Sequence, residues 1–338
     1  PDFYIMANVL TSLTKRASDY FGNKSKSIYD LLSGLFATTK SFSIDEASVL
    51  TITPAWRAIY ILKDIMATMP LNLYERTTDG DVMLQAKHPL NKLVASSPHA
   101  LYTPYEWMSA MMVNALVCGN GVSRIIRNGS GTPTALQLIP YDQLSDILIG
   151  EDGQHMIFKL ANGGSIHSDD VVHFIGLSYN GMGGINTTKL HRDTFASEAA
   201  LRDYVKSYLE KGAFLSGVIT HPSQLGDQAY KKLKSSWNDA HSGAGKAGGT
   251  AILEGGATFA PIQSTIQQSG YDMVKDRSIG DISRIYGVPE YMIDARNKPT
   301  YSSVEQMSID FKKYTIDGWC TKIKQELTRK LVSADKMG

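Results

Sequence analysis

The sequence predicts an α+β fold built from several units, and three observations carry the prediction. Between residues 120 and 175, short apolar runs are separated by Asn-Gly and Asp-Gly pairs, the signature of antiparallel hairpins. Helices with recognisable start signals precede that stretch. Farther along, two long and only moderately apolar helices bracket a small insert. At roughly 100–200 residues per domain, the 338 residues correspond to about two or three folding units.

Residues 1–45 are rich in Ser, Thr and Lys. They read either as a peripheral arm, helical around Val9 to Phe21, or as disordered chain. The first strong signal follows. Thr53 suits a cap and Pro54 the first helical turn, and Ile59, Leu62, Met66 and Met69 recur at helical spacing. Pro70 ends this helix, Leu71 to Arg76 alternates as a strand, and Asp79-Gly80 turns the chain. Thr103 and Glu106 have capping-box spacing around Pro104. They open a helix whose apolar side is Trp107, Met111 and Ala115, with Met108 and Met112 beside it, and which stops at Gly119-Asn120-Gly121.

Strands are predicted at 122–127, 136–139, 147–149, 156–160 and 171–175, forming one mostly antiparallel sheet. The turn pairs are Asn128-Gly129, Asp152-Gly153 and Asn162-Gly163. Gly181-Met182-Gly183-Gly184 reads as a linker. A helix over 188–211 closes at Gly212 and carries Ala196, Ala199, Ala200 and Ser207 among charges of both signs. Such a helix packs against copies of itself or lines a solvated passage. The insert contains strands at 218–220, 250–253 and 258–262 and a helix over 228–241. A second polar helix, 268–286, has Val274, Ile279, Ile282 and Ile285 on one side and ends at Gly287-Val288-Pro289. After a polar loop, 294–301, Ser302 and Glu305 open a helix that holds its period through Val304, Met307, Phe311, Tyr314, Trp319, Ile323, Leu327 and Leu331, with a kink expected at Asp317-Gly318.

Composition narrows the functional classes. Apolar residues make up 43% and charged residues 20%, which is ordinary globular usage. A net charge of +1 argues against a surface that grips nucleic acid through many basic contacts, but it is compatible with DNA sliding past. Two distant cysteines, Cys118 and Cys320, form neither a disulfide framework nor a zinc spacing, and fit a reducing compartment. The most apolar stretch, 55–71, contains Arg57, Lys63 and Asp64 and does not read as a membrane span. The first ten residues lack the pattern of an export signal. The chain does not begin with Met, which fits processing or trimming, with Met6 a candidate start.

No catalytic or metal-binding signature emerges, so neither a cofactor nor a metal is expected. Gly243 to Gly248 matches G-x-G-x-x-G, yet a predicted helix precedes it and a strand follows, the reverse of a phosphate-binding turn. Ala240 and Ala247 also break the Walker pattern. The eight histidines, His88, His99, His155, His167, His173, His191, His221 and His241, show no ligand spacing. There is no G-x-S-x-G elbow. Asp169-Asp170 read as loop, while Asp272, Asp276 and Asp281 with Lys275, Arg277 and Arg284 read as a solvated mixed-charge face. Lys231, Lys232 and Lys234 on the insert's helix are either solvated surface or a docking or phosphate-contact patch.

The ordered segments resemble the portal proteins (head–tail connectors) of tailed bacteriophages. The resemblance runs over roughly residues 50–330. Its carriers are Trp56-Arg57-Ala58-Ile59 through Met69-Pro70-Leu71-Asn72-Leu73-Tyr74-Glu75-Arg76; His88-Pro89-Leu90 through Ser97-Pro98 with Gly119-Asn120-Gly121; Val171-Val172-His173-Phe174; Gly212 to Ile219 with Trp237 and Leu253-Glu254-Gly255-Gly256; and Asp281-Ile282-Ser283-Arg284-Ile285-Tyr286-Gly287-Val288-Pro289 followed by Tyr301-Ser302-Ser303-Val304-Glu305-Gln306 and Phe311. Each motif is weak alone, and their order is the specific part. Where the family often has Pro before the Trp of the last helix, Asp317-Gly318 precede Trp319, so a softer kink is expected.

What the resemblance implies is a portal-type fold. Residues 46–187 are an α/β wing, 188–212 a stem helix, 213–267 a small α/β clip, 268–287 the second stem helix, 288–301 the tunnel-loop region and 302–338 a long kinked wing and crown helix. The chain ends soon after that helix, so an extended crown is expected to be short or missing. It further implies a homo-oligomeric ring, usually of about twelve subunits, at one capsid vertex. Double-stranded DNA passes through the ring, driven in by the terminase and later released toward the tail. Adaptor or neck proteins, the major capsid protein and scaffold protein are the other implied partners, with no membrane. The location is the virion, and the host cytoplasm during assembly. Asn297, Lys298, Thr300 and Tyr301 are expected to face DNA. Lys231, Lys232, Lys234 and Trp237 are expected to form the clip's docking surface for terminase or adaptor. The role is not enzymatic. The rival readings are another virion ring or adaptor protein, a nucleotide-binding enzyme, and a prophage remnant that no longer assembles.

Overall fold

The computed structural model describes residues 45–76, 81–150, 153–210, 217–222, 225–241, 256–261, 271–294 and 301–332. It mixes helices with small antiparallel sheets. Helix α1 (Glu46–Val49) leads into α2 (Thr53–Thr68), strands β1 (Tyr74–Arg76) and β2 (Val82–Leu84), α3 (Pro89–Ala95) and α4 (Pro104–Val117). The sheet region follows with β3 (Asn120–Arg127), β4 (Pro133–Ile139), β5 (Leu144–Ile149), β6 (Met156–Leu160), β7 (Ser165–His167) and β8 (Val171–Ile175). Then come α5 (Thr187–Leu190), α6 (Arg192–Glu210), β9 (Gly217–Thr220), α7 (Asp227–His241), β10 (Thr258–Pro261), α8 (Tyr271–Tyr286), α9 (Glu290–Ile293), α10 (Tyr301–Phe311) and α11 (Asp317–Leu327).

The core is built on α2 and α4, which pack against each other. Ile59, Leu62 and Met66 are buried as their period requires, but Ile52, not Thr53, is the N-cap, with no side-chain cap bond. Pro54 supplies the helical φ and needs no donor there. The capping box of α4 forms as expected: Thr103 accepts the Glu106 amide, and Glu106 accepts the Thr103 amide at 2.8 Å. Met108 and Met112 are buried along with Trp107, Met111 and Ala115, so this helix is apolar nearly all round. Helix α3, which buries Leu90 and Leu93, and strands β2 and β7 form where no element is predicted.

Two three-stranded sheets replace the single sheet expected, β4-β3-β8 and β5-β6-β7. All their pairings are antiparallel. Every side chain of Val171 to Phe174 is buried. Period-2 alternation sends Val172 and Phe174 into the main core, while Val171 joins Val122, Ile139, Phe158 and Ile166 in a second one. Phe174 meets Trp107 edge-on, and Phe158 meets His173 in the same way.

The turn at Asn128 is also wider than an Asn-Gly pair. The Asn128 amide bonds the Thr132 carbonyl, and Gly131, not Gly129, holds the positive φ. Asn162-Gly163 does turn the β6–β7 hairpin. Asp169 and Asp170 close a single tight helical turn, not an open loop.

The expected helix over 188–211 is two helices, α5 and α6, broken at His191, with Asn186 capping the first. Phe195 anchors α6 by full burial. Strands β9 and β10 pair antiparallel and flank α7 in sequence, as expected for the insert. Residues 250–253 and the glycine run 243–248 lie outside the described residues, as do 1–44 and Asp79-Gly80.

The last helix runs from α10 into α11 through a wide π turn, Lys312–Ile316, and a second one spans Thr328–Val332. The irregularity thus sits just before Asp317-Gly318. It has a packing consequence. Bonding i to i+5 slips the phase by one residue, so Phe311 and Ile316 are both buried while Tyr314 remains 74% exposed. Met307 also faces out, at 41% exposure. Ile323 and Leu331 keep the buried face, with Trp319 and Leu327 packed at its edge.

Candidate functional site

Two places carry the residues singled out above. The first is the frame around the polar loop. Helix α8 ends at Gly287, whose φ of 65° is the left-handed value a glycine adopts without strain. The Val288 amide returns to the Ser283 carbonyl, and the Ser283 hydroxyl donates to the Val288 carbonyl at 2.6 Å. This is a Schellman closure with an added side-chain bond. The wide turn at 312–316 brings Thr315 over it, and the Thr315 hydroxyl donates to the Gly287 carbonyl at 2.7 Å. Pro289 then caps α9, whose Met292 carbonyl accepts from Arg57 Nε of α2. Tyr291 and Ser308 share a hydroxyl hydrogen bond at 3.1 Å. Four elements, α2, α8, α10 and the wide turn, therefore hold the two feet of the loop.

Asn297, Lys298 and Thr300 lie outside the described residues. Tyr301 is not part of the loop proper: it is the first residue of α10, because the helix starts one residue ahead of the expected Ser302 cap. The supporting residues Arg57, Tyr291, Ser308 and Thr315 escaped sequence reading, since each acts through a partner distant in sequence.

A cavity of about 380 Å³ lies beneath the first foot. It is lined in part by Thr53, Glu198, Arg202, Lys275 and Asp294. Arg202 closes one wall by donating to the Thr51 carbonyl at 3.2 Å. Charges of both signs line it, so it does not select an anion such as phosphate.

The second place is α7. Lys231, Lys232 and Lys234 are all exposed there. Lys231 and Lys234 stand i,i+3 on one face, and Lys232 lies about 100° round the axis. Position 237 falls on the same side of the helix as Tyr230 and Leu233; the Trp237 side chain is outside the described set. The helix thus sets Lys231 and Lys234 side by side and turns Lys232 away from Lys234.

The glycine motif at 119–121 has a packing role. Asn120 Oδ1 accepts the Gly184 amide at 2.7 Å and the His173 Nε2–H at 2.9 Å, while Asn120 Nδ2 donates to the Gly184 carbonyl at 3.0 Å. A Cβ on Gly184 would lie 1.8 Å from the Gly119 carbonyl oxygen. The stretch 181–184 is therefore a clamped loop in place of the free linker expected. Burial, with help from the Arg329 and Lys330 cations, pushes the His173 pKa down to about 3, so the imidazole is neutral. Burial pushes the Cys118 thiol up to about 12, which removes it as a nucleophile. Among the described residues no nucleophile–base pair stands out, and no helix is long and apolar enough to cross a membrane.

Comparison with known proteins gives a consistent picture. The family model described as phage portal protein matches residues 53–338. The portal protein of Enterobacteria phage HK97 is 21% identical over 300 residues, covering 88% of this chain and 70% of that protein. A probable portal protein of Streptomyces phage phiC31 is also 21% identical, over 318 residues, covering 90% of this chain and 68% of the other. The crystal structure of a HK97-family phage portal protein from Corynebacterium diphtheriae superposes with a TM-score of 0.59 at 19% identity, covering 84% of this chain and 89% of that one. A chain from the neck of a native gene transfer agent particle, computed with C12 symmetry, gives 0.59 at 19%, covering 90% and 86%.

Proposed function

The chain belongs to the phage portal protein family, and on that premise we propose that copies of it form a ring of about twelve subunits at one capsid vertex, through which double-stranded DNA enters and later leaves. The carrying observation is that one family model runs through 53–338 in order, from α2 to the last helix. The twelvefold symmetry of a similar neck particle supports the subunit number.

In this reading residues 46–187 are the wing, 188–212 and 268–287 the stem, 213–267 the clip and 302–338 the wing and crown helix. Helix α8 supports the stem assignment: Ile279, Ile282 and Tyr286 are buried on one side, while Arg277 and Arg284 face out. The region 288–301 would present Asn297, Lys298, Thr300 and Tyr301 to DNA. The role is geometric and electrostatic, not catalytic. Each fixed phosphate contact adds affinity, so a chain of net charge +1 suits a bore that lets DNA slide. The terminase supplies the work during packaging. The lysines of α7, with position 237, would dock terminase and then adaptor or neck proteins, and capsid and scaffold proteins would surround the wing. The protein would act in the virion, after assembly in the host cytoplasm.

Electron microscopy of the purified protein tests this. Rings with a hole wide enough for duplex DNA are expected. Uniform monomers that never form rings, even with capsid and scaffold proteins present, would refute the reading. Within rings, Lys298→Glu is expected to impair packaging or DNA retention without loss of assembly. Normal packaging and retention by that variant would remove the loop from the mechanism.

A further inference from the structure

The histidines are scattered in sequence, but the β6–β7 hairpin brings two of them together. Its register pairs Ile157 with His167, Phe158 with Ile166 and Lys159 with Ser165. Phe158 and Ile166 point into the second core, so Ile157 and His167 lie on the outer face. Position 155 is on that face too, diagonal to His167. Continuing the register past His167 sets Asp169 opposite His155. The structure bears this out: the His155 and His167 rings are 4.5 Å apart, His155 Nε2 is 3.9 Å from Asp169 Oδ2, and His167 Nδ1 is 3.3 Å from the same oxygen. All three ligand atoms lie within 4.8 Å of one another.

We propose that His155, His167 and Asp169 form a three-ligand site for a divalent transition cation of the zinc class, fastening the open end of the β6–β7 ladder to the turn that follows it. Two imidazole nitrogens and one carboxylate oxygen are the donor set such a cation takes, with its fourth position open. Bonds of about 2.0–2.1 Å in a tetrahedron separate donors by about 3.3 Å, so the site needs only small side-chain adjustments.

Ligation through His167 Nδ1 would replace the long 3.4 Å contact that this atom accepts from the Asp169 amide. One further observation supports the site. The carboxylate is oriented from behind. Lys330 Nζ, itself donating to the Ser168 carbonyl, is 3.9 Å from Asp169 Oδ1, which leaves Oδ2 for the histidines. A supporting partner of this kind fixes a ligand's direction. The Lys330 charge opposes a cation, but it lies against the other carboxylate oxygen. The nearby Arg127 is occupied by Asp170 at 3.0 Å. This inference stands apart from the ring reading, because a single chain carries the whole ligand set.

The test is calorimetric titration of the full-length protein with Zn²⁺ alone. The expected result is one equivalent per chain, with affinity weakened at least about tenfold in His167→Gln and in Asp169→Asn. His99→Gln, an imidazole elsewhere on the surface, is expected to bind as the wild type does. Both replaced ligands are solvent-accessible, and circular dichroism checks that the variants fold. Titration with Co²⁺ gives a second readout, a tetrahedral visible spectrum that the same variants abolish. Absence of stoichiometric binding, or binding unchanged in both ligand variants, would overturn the proposal.

Discussion

At the scale of single residues, the buried Asn120–His173–Gly184 network makes two predictions. His173 is neutral in the fold, its pKa pushed down to about 3 by burial and by the neighbouring cations. In the unfolded chain it titrates near its ordinary value of about 6.5. Its contribution to stability is therefore complete above about pH 6.5 and is lost as pH falls toward 3, because the unfolded chain takes up a proton that the fold refuses. The slope is about 1.4 kcal/mol per pH unit for one proton. Urea unfolding across this window should show the slope in the wild type and a shallower one in His173→Gln. An unchanged slope in the variant would assign the effect elsewhere. The second prediction concerns Gly184. Its Cβ would enter the Gly119 carbonyl, a backbone group that cannot swing aside. Gly184→Ala should cost more than about 2 kcal/mol, read from the denaturation midpoint. A cost within a few tenths would mean that the 181–184 loop is free after all.

At the scale of elements, the wide turn at 312–316 decides which face of the last helix is buried. Phe311 and Ile316 are five residues apart and both point inward, an arrangement that a regular α-helix reaches at four. Deleting Lys313 should therefore tighten the turn to α geometry while leaving Ile316, Ile323 and Leu331 in place, with a cost under about 2 kcal/mol. Deleting Thr321 instead rotates Ile323 and Leu331 against the core by about 100° and should cost more than about 3 kcal/mol, since each buried side chain is worth about 1.5–3. Thermal unfolding of the two variants makes the comparison, and equal costs would deny the turn this role. The same element shows what a periodic reading misses. Tyr314 falls on the expected face by count, yet the structure leaves it in solvent. A π turn has no compositional mark, and here it places the Thr315 hydroxyl on the Gly287 carbonyl.

At the scale of the whole molecule, the family places this chain among portal proteins, and the proposal that the lysines of α7 dock terminase or adaptor can be tested. Rings of a Lys231→Glu, Lys234→Glu double variant should form normally and bind terminase or adaptor at least about tenfold more weakly, the loss steepening at low salt. Unchanged binding would move the docking surface off this helix. Much of the architecture was legible in advance. The capping box at Thr103 and Glu106, the hairpin turn at Asn162-Gly163 and the helix stop at Gly287 are local signals, and the order of segments pointed to the family. One sheet is expected and two form, because strand pairing depends on contacts that alternation does not encode. The stretch 181–184 reads as a linker, yet Gly184 packs closely, because glycine reports freedom and close packing alike. The sequence by itself determined the capping box of α4, the hairpin turn at Asn162-Gly163 and the stop of α8 at Gly287, since each rests on neighbours a few positions apart. Only the tertiary structure decided that Asn120 grips Gly184 across 64 residues, that Thr315 closes the end of α8, and that His155 meets His167 and Asp169. Those meetings depend on strand register, helix phase and backbone approach, which take their values only when the whole core packs.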